Sequence, residues 1–375
     1  MAEIKPRYLV MVTASANNNK YYKQIPHGDS WTAEYGRVGS SPQRREYSMS
    51  QWESKYKEIE NKVIAEIVER LQAMARKAIS DNYTISSNKV TQAMVDEAQD
   101  VLTSLLDIKE VEEFNNILLK LFTVIPRKMG CVSDYLANSS NDFSKIIQKE
   151  QDLLDVMKGQ VVQKQIIEET KAENDVKIKN TILEQLGLVF EECDKKDIAV
   201  IKDALGSCSD KFYKAWKVKN LKTQKRFDDF VKENNITETK LLFHGSRNEN
   251  WWSIINSGLV LKPTNAVITG KMFGYGIYYA LKARKSLGYT SLSGSYWVRG
   301  DSNYGFMALM DVAYGKPYDV YSFNSKYYSF DYDKLQSVCP GANCLHAHAG
   351  DMLRNDEIIV YKEEQCTIKY LIELR

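Results

Sequence analysis

Four short segments in the C-terminal half of the chain combine side chains that can bind or transform a ligand. They are Leu242-Phe-His-Gly-Ser-Arg247, the glycine-punctuated aromatic stretch Thr269–Ala280, Ser286-Leu-Gly-Tyr289 and Asp356-Glu-Ile-Ile-Val-Tyr361. A carboxylate can stabilise positive charge that develops in a transition state, and a glycine lets a ligand approach the backbone closely. Each segment alone is weak evidence, since a single histidine at the end of a strand is more often structural. The chemistry therefore depends on the elements that bring the four segments together.

Several common signatures of nucleotide and hydrolase sites are missing from the sequence. No G-x-G-x-x-G follows a predicted strand and no G-x-x-x-x-G-K-[ST] occurs, so we expect neither a Rossmann dinucleotide site nor a P-loop. The nucleophile elbow of hydrolases and the H-E-x-x-H pattern of zinc proteases are also missing.

The sequence predicts an α+β protein with three blocks of different texture. Residues 1 to about 47 alternate short apolar or aromatic runs with turn residues, which predicts a small antiparallel sheet. A helix is expected from about Ser50, and residues from about 80 to 170 carry apolar stripes at helical spacing, which predicts a helical bundle. From about residue 175, short strands alternate with aromatic turns, which favours a mixed, mainly antiparallel sheet. The strands predicted in the first and third blocks are 8–13, 20–24, 31–35, 241–243, 276–280, 307–312, 357–361 and 367–374.

The composition is that of an ordinary soluble protein. Hydrophobic residues make up 43% and charged residues 27%, and the net charge of +2 does not by itself indicate a nucleic-acid partner. No apolar run is long enough to span a membrane, and the N-terminus lacks the apolar region of a signal peptide. Six scattered cysteines suit a reducing environment, so we expect an intracellular protein, cytoplasmic in a bacterium or nuclear in a eukaryote.

In this order and spacing, the four C-terminal segments closely resemble the catalytic domain of the poly(ADP-ribose) polymerase family. The helical block resembles the regulatory helical subdomain of that family through Lys120-Leu-Phe-Thr-Val-Ile-Pro126 and Asp152-Leu-Leu-Asp155, and it is shorter at its start. The first block resembles a WGR domain through Asn19-Lys-Tyr-Tyr-Lys23 and Tyr35-Gly-Arg-Val-Gly39. The resemblance implies a WGR-like domain at 1–78, a helical regulatory subdomain at 79–172 and an ADP-ribosyltransferase domain at 173–375.

The resemblance implies an enzyme that cleaves the nicotinamide–ribose bond of NAD+, with NAD+ as its substrate. The family's triad of histidine, tyrosine and glutamate matches His244, Tyr278 and Glu357. Glu357 would stabilise the ribosyl cation and polarise the acceptor hydroxyl, and His244 would hydrogen-bond a ribose hydroxyl on the adenosine side.

Further positions match the family's binding residues. The matches are Gly245, Ser286 and Tyr289 for nicotinamide, Ser246, Arg247, Asn250 and Asp155 for the adenosine side, and Met272 and Lys285 for the acceptor. A surface ion pair would explain Arg247 equally well. Val260 stands where the family often has a basic residue that contacts phosphate, and Lys262 is the candidate substitute.

The complete triad resembles that of the family members that form polymers, since members that replace the glutamate usually transfer a single ADP-ribose unit. The expected product is poly(ADP-ribose) on protein acceptors, including the enzyme itself, and we expect a monomer. Three alternatives stay open at this point: a mono-ADP-ribosyltransferase, a non-catalytic DNA-end-binding scaffold and a secreted toxin. The intact triad disfavours the scaffold, and the missing signal peptide disfavours the toxin.

WGR domains in this family bind DNA ends, so the resemblance implies stimulation by DNA strand breaks. Tyr35 replaces the leading tryptophan of the motif and could still stack on a terminal base or sugar, and Arg37 is retained. Residues 1–50 contain seven basic and four acidic residues, a net charge of +3. The alternative is a small sheet that only packs on the catalytic domain. The shortened helical block implies weak autoinhibition and measurable activity without DNA.

One cluster of potential metal ligands stands outside the resemblance. Cys339, Cys344, His346 and His348 lie within ten residues, and zinc accepts such ligands. Their spacing is tight, however, and the segment matches a loop of the family just before the catalytic glutamate. We therefore expect a loop and no metal.

Overall fold

A computed structural model describes residues 6–13, 18–37, 41–173, 182–261, 272–293, 302–350 and 353–375. The chain forms two compact units, Met1–Arg70 and Leu71–Arg375, and the division falls within the helix Trp52–Asn82. None of the helices in the described ranges has an apolar stretch that could span a bilayer.

The strands are β1 (Arg7–Thr13), β2 (Asn18–His27), β3 (Ser30–Arg37), β4 (Gln43–Ser48), β5 (Leu188–Glu192), β6 (Phe212–Asn220), β7 (Thr239–Gly245), β8 (Ile277–Ala280), β9 (Gly305–Ala313), β10 (Pro317–Val320), β11 (Cys344–Ala347), β12 (Glu357–Val360) and β13 (Cys366–Leu374). The α-helices are α1 (Trp52–Asn82), α2 (Gln92–Ser104), α3 (Val111–Val124), α4 (Phe143–Glu173), α5 (Ile182–Gln185), α6 (Lys195–Leu205), α7 (Leu221–Glu233), α8 (Trp251–Ser257), α9 (Ala283–Leu287) and α10 (Tyr332–Val338).

The first unit is a four-stranded antiparallel sheet in the order β1-β2-β3-β4. Alternation along β3 buries Trp31 and Ala33 on one face of the sheet. Trp52, at the start of α1, packs edge-on against Trp31 with the ring centroids 5.7 Å apart. The Trp31 indole N–H donates to the Ser48 carbonyl at 3.0 Å, which ties the core to the end of the sheet. The fourth strand is not among the predicted ones, because its sequence is polar and mostly exposed.

The predicted helical block is present as α2, α3 and α4 in the second unit. The apolar stripes of α2 and α3 are buried, and α3 ends at Val124, shortly before Pro126. An ion pair between Arg127 and Glu150 is buried in the block, with Arg127 Nε 3.1 Å from Glu150 Oε2. The guanidinium also lies over the Tyr83 ring at 5.0 Å, so the pair is held by hydrogen bonding and by an aromatic face.

The sheet of the second unit contains nine strands in the order β10-β11-β12-β8-β7-β9-β13-β6-β5. All neighbouring pairs are antiparallel except β10 and β11, which run parallel. The central strands β9 and β13 are buried along almost their whole length. The expected α+β class with a mixed, mainly antiparallel C-terminal sheet is therefore confirmed.

The expectation of a loop before Glu357 is wrong at Cys344–Ala347, which form strand β11. All four residues are buried, and they pair with β10 on one side and β12 on the other. His346 interrupts an otherwise apolar run of buried residues, so the hydrophobic pattern of the sequence does not indicate a strand here. Strands β5, β6 and β10 are likewise not among the predicted strands.

Candidate active site

Three adjacent strands of the large sheet carry the predicted triad. Phe243 of β7 pairs with Ala280 of β8, and Ala280 pairs with Glu357 of β12. Antiparallel pairing therefore places the C-terminal end of β7 on one side of the C-terminal end of β8, and the N-terminal end of β12 on its other side. His244 follows Phe243 directly, and Tyr278 lies two residues before Ala280. Residues up to 113 positions apart in the chain are thus carried on neighbouring strands.

The His244 ring is fixed by its backbone and aromatic neighbours. Its Nδ1 lies 3.1 Å from the Tyr278 carbonyl. Because a carbonyl only accepts hydrogen bonds, Nδ1 carries the proton, and Nε2 of the neutral ring is an acceptor. Trp251 and Tyr279 meet the ring edge-on, at centroid distances of 6.5 and 6.0 Å. These contacts define both the tautomer and the orientation of the imidazole.

The Tyr278 hydroxyl is anchored to the turn that precedes its strand. It donates to the Gly274 carbonyl at 3.1 Å and accepts from the Phe273 backbone N–H at 2.9 Å. Burial raises the pKa of the Tyr278 phenol, and the nearby Glu357 carboxylate raises it further. The phenol is therefore neutral at physiological pH.

Glu357 lies on the strand next to that of Tyr278 and contacts Lys285 of α9. The Lys285 ammonium contacts the Glu357 carboxylate, and the two side chains are only 16% and 13% exposed. Burial raises the pKa of Tyr289, and Glu357 raises it further, as it does for Tyr278. Tyr278 pairs with Ile359, two residues after Glu357, so strand alternation directs the Tyr278 and Glu357 side chains to the same face of the sheet.

Gly245 and Ser286 meet through their backbones. A Cβ atom at Gly245 would lie 2.0 Å from the Ser286 carbonyl oxygen, so only glycine fits there. The Ser286 side chain is buried within α9, and its carbonyl accepts from the Tyr289 N–H at 3.0 Å. Tyr289 is 53% exposed, which leaves much of its ring accessible. The structure thus brings the three residues expected to bind nicotinamide to one place.

The residues expected on the adenosine side lie in the turn after β7 and on α4. The Asn250 amide donates to Ser246 Oγ at 3.0 Å, and Arg247 Nε lies 3.8 Å from Glu249 Oε1. Asn248 fixes this turn, since its side chain accepts from Phe306 N and donates to the Tyr304 carbonyl.

Asp155 lies on α4, where it accepts from the Gln151 amide at 3.0 Å. One turn further along α4, a Cβ atom at Gly159 would lie 1.9 Å from Ser253 Oγ of α8. The two helices are therefore in close contact next to the turn that carries Asn250. Val260 is half-buried, and Lys262 lies outside the described residues.

Of the two residues expected at the acceptor side, Lys285 contacts Glu357 directly. Met272 is half-buried and packs against an aromatic cluster that includes Phe273 and Phe330. It directly precedes the turn whose backbone holds the Tyr278 hydroxyl.

The predicted DNA-contacting residues belong to the first unit. Tyr35 packs against the Trp31 core, and its ring lies 6.2 Å from that of Tyr22. Arg37 is exposed at the end of β3 and pairs across the sheet with Lys20. Strand alternation directs Tyr35 and Arg37 to the same face of the sheet.

The set of potential metal ligands differs from the predicted one. Cys339 packs against an apolar cluster, and the Cys344 thiol donates to the Tyr314 carbonyl at 3.3 Å. Within the described ranges, the histidine, cysteine and acidic side chains whose ligand atoms converge within 4.8 Å are Asp319, His346 and His348. Asp319 could not be paired with the histidines from sequence, because only the parallel contact between β10 and β11 joins them.

Comparison with known proteins gives two family matches and several relatives. A model of the poly(ADP-ribose) polymerase catalytic domain matches residues 195–375, and a WGR domain model matches residues 5–69. The chain is 30% identical over 188 residues to a putative poly [ADP-ribose] polymerase-like protein, 100L, of Invertebrate iridescent virus 6, covering 49% of the chain and 97% of the viral protein. It is 26% identical over 241 residues to the poly [ADP-ribose] polymerase of Sarcophaga peregrina, covering 60% of the chain and 23% of that protein. It is 41% identical over 86 residues to human poly [ADP-ribose] polymerase 2, covering 23% of the chain and 14% of that protein.

Proposed function

Since the chain belongs to the poly(ADP-ribose) polymerase family and has its NAD+-using ADP-ribosyltransferase domain, we propose that it builds poly(ADP-ribose) on proteins, including itself, in response to DNA breaks. The observation that carries this proposal is the strand pairing that puts His244, Tyr278 and Glu357 on three adjacent strands, with the His244 ring held by the Tyr278 carbonyl.

The reaction breaks the bond between nicotinamide nitrogen and ribose C1″, and the electron pair leaves with nicotinamide. Positive charge then develops on the ribose, and the Glu357 carboxylate stabilises it. An acceptor oxygen forms the new bond to C1″ and loses its proton, which Glu357 is positioned to receive. His244 orients a ribose hydroxyl through Nε2, because its Nδ1–H already donates a hydrogen bond to the Tyr278 carbonyl.

Nicotinamide binds between the Tyr278 and Tyr289 rings, with its amide against Gly245 and Ser286. The close backbone contact between Gly245 and Ser286 supports this assignment, since it holds the two residues side by side. An aromatic surface attracts the cationic ring of NAD+ more than neutral nicotinamide, so it favours the ground state. The rate enhancement therefore comes from stabilising the ribosyl cation.

The adenosine half of NAD+ lies along the turn after β7. Ser246, Arg247 and Asn250 line this turn, and Asp155 lies on α4 one helical turn before the contact of Gly159 with Ser253 of α8. Asn250 Oδ1 is buried without a hydrogen-bond partner in the described part of the chain, so it is available to accept from the substrate.

Polymer formation, rather than a single transfer, is favoured by the position of Lys285. Elongation requires a second ADP-ribose unit, whose pyrophosphate is negatively charged, to approach Glu357. The Lys285 ammonium lies at the carboxylate and provides a matching positive charge, with Met272 near the adjoining turn.

DNA stimulation is proposed from the WGR match and from the shared face of Tyr35 and Arg37. In this proposal a WGR-like domain at 1–78 binds DNA ends, a helical subdomain at 79–172 transmits the signal, and the domain at 173–375 carries out catalysis. Loosening of a helical shield would raise the population of NAD+-accessible states. Because the helical block is short, we expect weak shielding and some activity without DNA.

The test is incubation of the full chain with NAD+ labelled in its adenylate phosphate, with and without blunt-ended DNA. A labelled smear on the protein supports polymer formation, whereas one discrete labelled band indicates mono-transfer. No label and no nicotinamide release would contradict an enzyme and favour a DNA-end-binding scaffold. Glu357→Gln is the inactive control.

The DNA part is tested with the double variant Tyr35→Ala and Arg37→Ala, compared with Arg44→Ala, which removes an exposed basic side chain from the neighbouring strand. We expect the double variant to lose stimulation and to keep its DNA-independent rate. If DNA stimulated the double variant as strongly as Arg44→Ala, the proposed DNA site would be contradicted. If the unmodified chain had no activity without DNA, weak shielding by the helical block would be contradicted.

A further inference from the structure

We propose that Asp319, His346 and His348 bind a divalent transition-metal ion such as Zn²⁺, with Asp356 supporting both histidines from the opposite side. The site lies where β10, β11 and β12 run side by side, and its three proposed ligands are not among the residues assigned to NAD+ above. Imidazole and carboxylate ligands together are typical of zinc sites.

The three proposed ligand atoms already lie close together. Asp319 Oδ1 is 2.7 Å from His348 Nε2 and 3.9 Å from His346 Nδ1. All three fall within 4.8 Å of one another. Tetrahedral Zn²⁺ with bonds of about 2.0–2.2 Å requires ligand atoms about 3.3 Å apart. Side-chain shifts on the order of 1 Å therefore suffice.

The strand geometry explains why the two histidines are neighbours. They are separated by one residue, so alternation directs both side chains to one face of the sheet. Their rings stack with centroids 3.9 Å apart. The His348 N–H donates to the Val320 carbonyl at 2.8 Å, which continues the pairing with the end of β10.

Asp356 binds the histidines through the nitrogens that face away from Asp319. Its Oδ2 lies 2.9 Å from His346 Nε2 and 3.6 Å from His348 Nδ1, and its Oδ1 accepts from the Ala349 N–H at 3.0 Å. A carboxylate that accepts from the outer nitrogen of a metal-binding histidine is a common support, because it fixes the ring and its tautomer. Here one carboxylate faces both rings.

The electrostatic surroundings suit a cation. Two carboxylates flank two imidazoles, and the positive charge of nearby Lys240 is matched by Glu238 at 3.3 Å. Without metal, a proton must lie between His348 Nε2 and Asp319, since a carboxylate only accepts. The Tyr314 hydroxyl is hydrogen-bonded to His346 Nδ1 at 2.9 Å. Metal binding at His348 Nε2 would shift that proton to Nδ1, which faces Asp356, and would displace the Tyr314 hydroxyl from His346.

The Asp319 side chain is 43% exposed, whereas that of His346 is 10% exposed. The site is therefore anchored in the sheet and open to solvent on one side, which gives the ion an entry path and leaves room for a water ligand. A bound ion would cross-link β10 to β11, and Asp356 would connect it to the strand that starts at Glu357.

The experiment uses the full chain after treatment with a chelator and removal of the chelator. Zn²⁺ is then titrated in a calorimeter, and thermal unfolding is followed with and without excess Zn²⁺. We expect one ion per chain and a higher unfolding midpoint. Co²⁺ in place of Zn²⁺ should give the visible absorption of a tetrahedral complex.

The variants are Asp319→Asn and His348→Gln, and the matched control is His27→Gln, whose imidazole pairs with Thr32 in the first unit. Asp319→Asn is the conservative choice, because the side chain is partly exposed and the fold should survive. Both variants should lose at least ~10-fold in Zn²⁺ affinity, and Asp356→Asn should lose about 10–100-fold. Absence of saturable binding, or binding in Asp319→Asn and His348→Gln as tight as in His27→Gln, would overturn the proposal.

Discussion

The ammonium of Lys285 and the carboxylate of Glu357 are in direct contact, although 72 positions separate them in the chain. Strand β8 and the short turn after it bring α9 beside β12, so the contact follows from the sheet topology. Exposed ion pairs are worth little, but both of these side chains are largely shielded from solvent. The pair therefore restrains the Glu357 carboxylate.

Replacing Lys285 by Met should shorten the polymer more than it slows the first transfer. The variant removes the charge that faces an incoming ADP-ribose unit, and it removes one restraint on the Glu357 carboxylate but not the carboxylate itself. Gel separation of labelled chains measures length, and nicotinamide release measures the first step. Lys285→Arg should keep most of the length, and Lys282→Met, at an exposed neighbouring position, is the matched control. Unchanged chain lengths in Lys285→Met would contradict a role in elongation.

Replacing Glu357 by Gln should reduce nicotinamide release by about 10²–10³-fold, because the amide cannot stabilise the ribosyl cation as a carboxylate does. The affinity for NAD+ should change little, since the carboxylate acts on charge that develops during the reaction. Rates come from nicotinamide release and affinities from calorimetry. Glu364→Gln, after the same strand, is the control. A near-normal rate in Glu357→Gln would rule out the assigned role.

The strands that carry His244, Tyr278 and Glu357 could be predicted from local patterns, whereas the roles predicted for the three residues come from the resemblance of their segments to the family. His244 and Gly245 end an apolar run, and Glu357 begins a β-branched run, so both signals are contained within a few residues. The contact between Lys285 and Glu357 is not local. It depends on the pairing of β8 with β12, for which the sequence has no separate signal.

The metal ligands illustrate the opposite case. Proximity in the sequence suggests that Cys344 and His346 would bind the same metal ion, yet the Cys344 thiol donates a hydrogen bond to the Tyr314 carbonyl. The ligand atoms that converge are those of Asp319 and the two histidines. Asp319 comes from a parallel neighbouring strand that is itself not predicted. Polar residues in buried strands weaken the apolar pattern on which strand prediction depends.

Replacing Gly245 by Ala should destabilise the second unit by about 1–3 kcal/mol and weaken NAD+ binding, because the added methyl group collides with the Ser286 carbonyl. Thermal or denaturant unfolding and NAD+ calorimetry measure the two effects. Gly130→Ala is the matched control, since a Cβ atom there meets no other atom within 4 Å. Normal NAD+ affinity in a folded Gly245→Ala protein would exclude a close approach of nicotinamide at this position.

Replacing Tyr278 by Phe should cost about 1–3 kcal/mol of stability, because the Phe273 N–H loses its acceptor in a partly buried turn. The aromatic ring stays, so NAD+ affinity should fall only through loosening of the turn. Tyr275→Phe, in the same turn, is the matched control. If the two variants unfold at the same denaturant concentration, the hydroxyl does not anchor the turn.

Asp197 connects α6 to two strands of the large sheet, and its titration should contribute to acid unfolding. Burial opposes ionisation of this carboxyl, but hydrogen bonds from Lys217, the Asp194 backbone and Tyr370 outweigh it and lower its pKa. A lowered pKa in the folded state means that the stabilisation is present above the ordinary aspartate pKa. It is lost as the pH falls through the lowered value.

Asp197→Asn should therefore be about 0.5–1 kcal/mol less stable than the unmodified chain at pH 7, a modest value because Lys217 is 38% exposed. The difference should shrink steadily below about pH 4, where the unmodified carboxyl also loses its charge. Denaturant unfolding from pH 7 down to pH 3 measures both proteins, and Asp210→Asn, at an exposed position, is the control. A difference that stays constant over this pH range would show that the Asp197 charge does not contribute, and that the substitution acts only through packing.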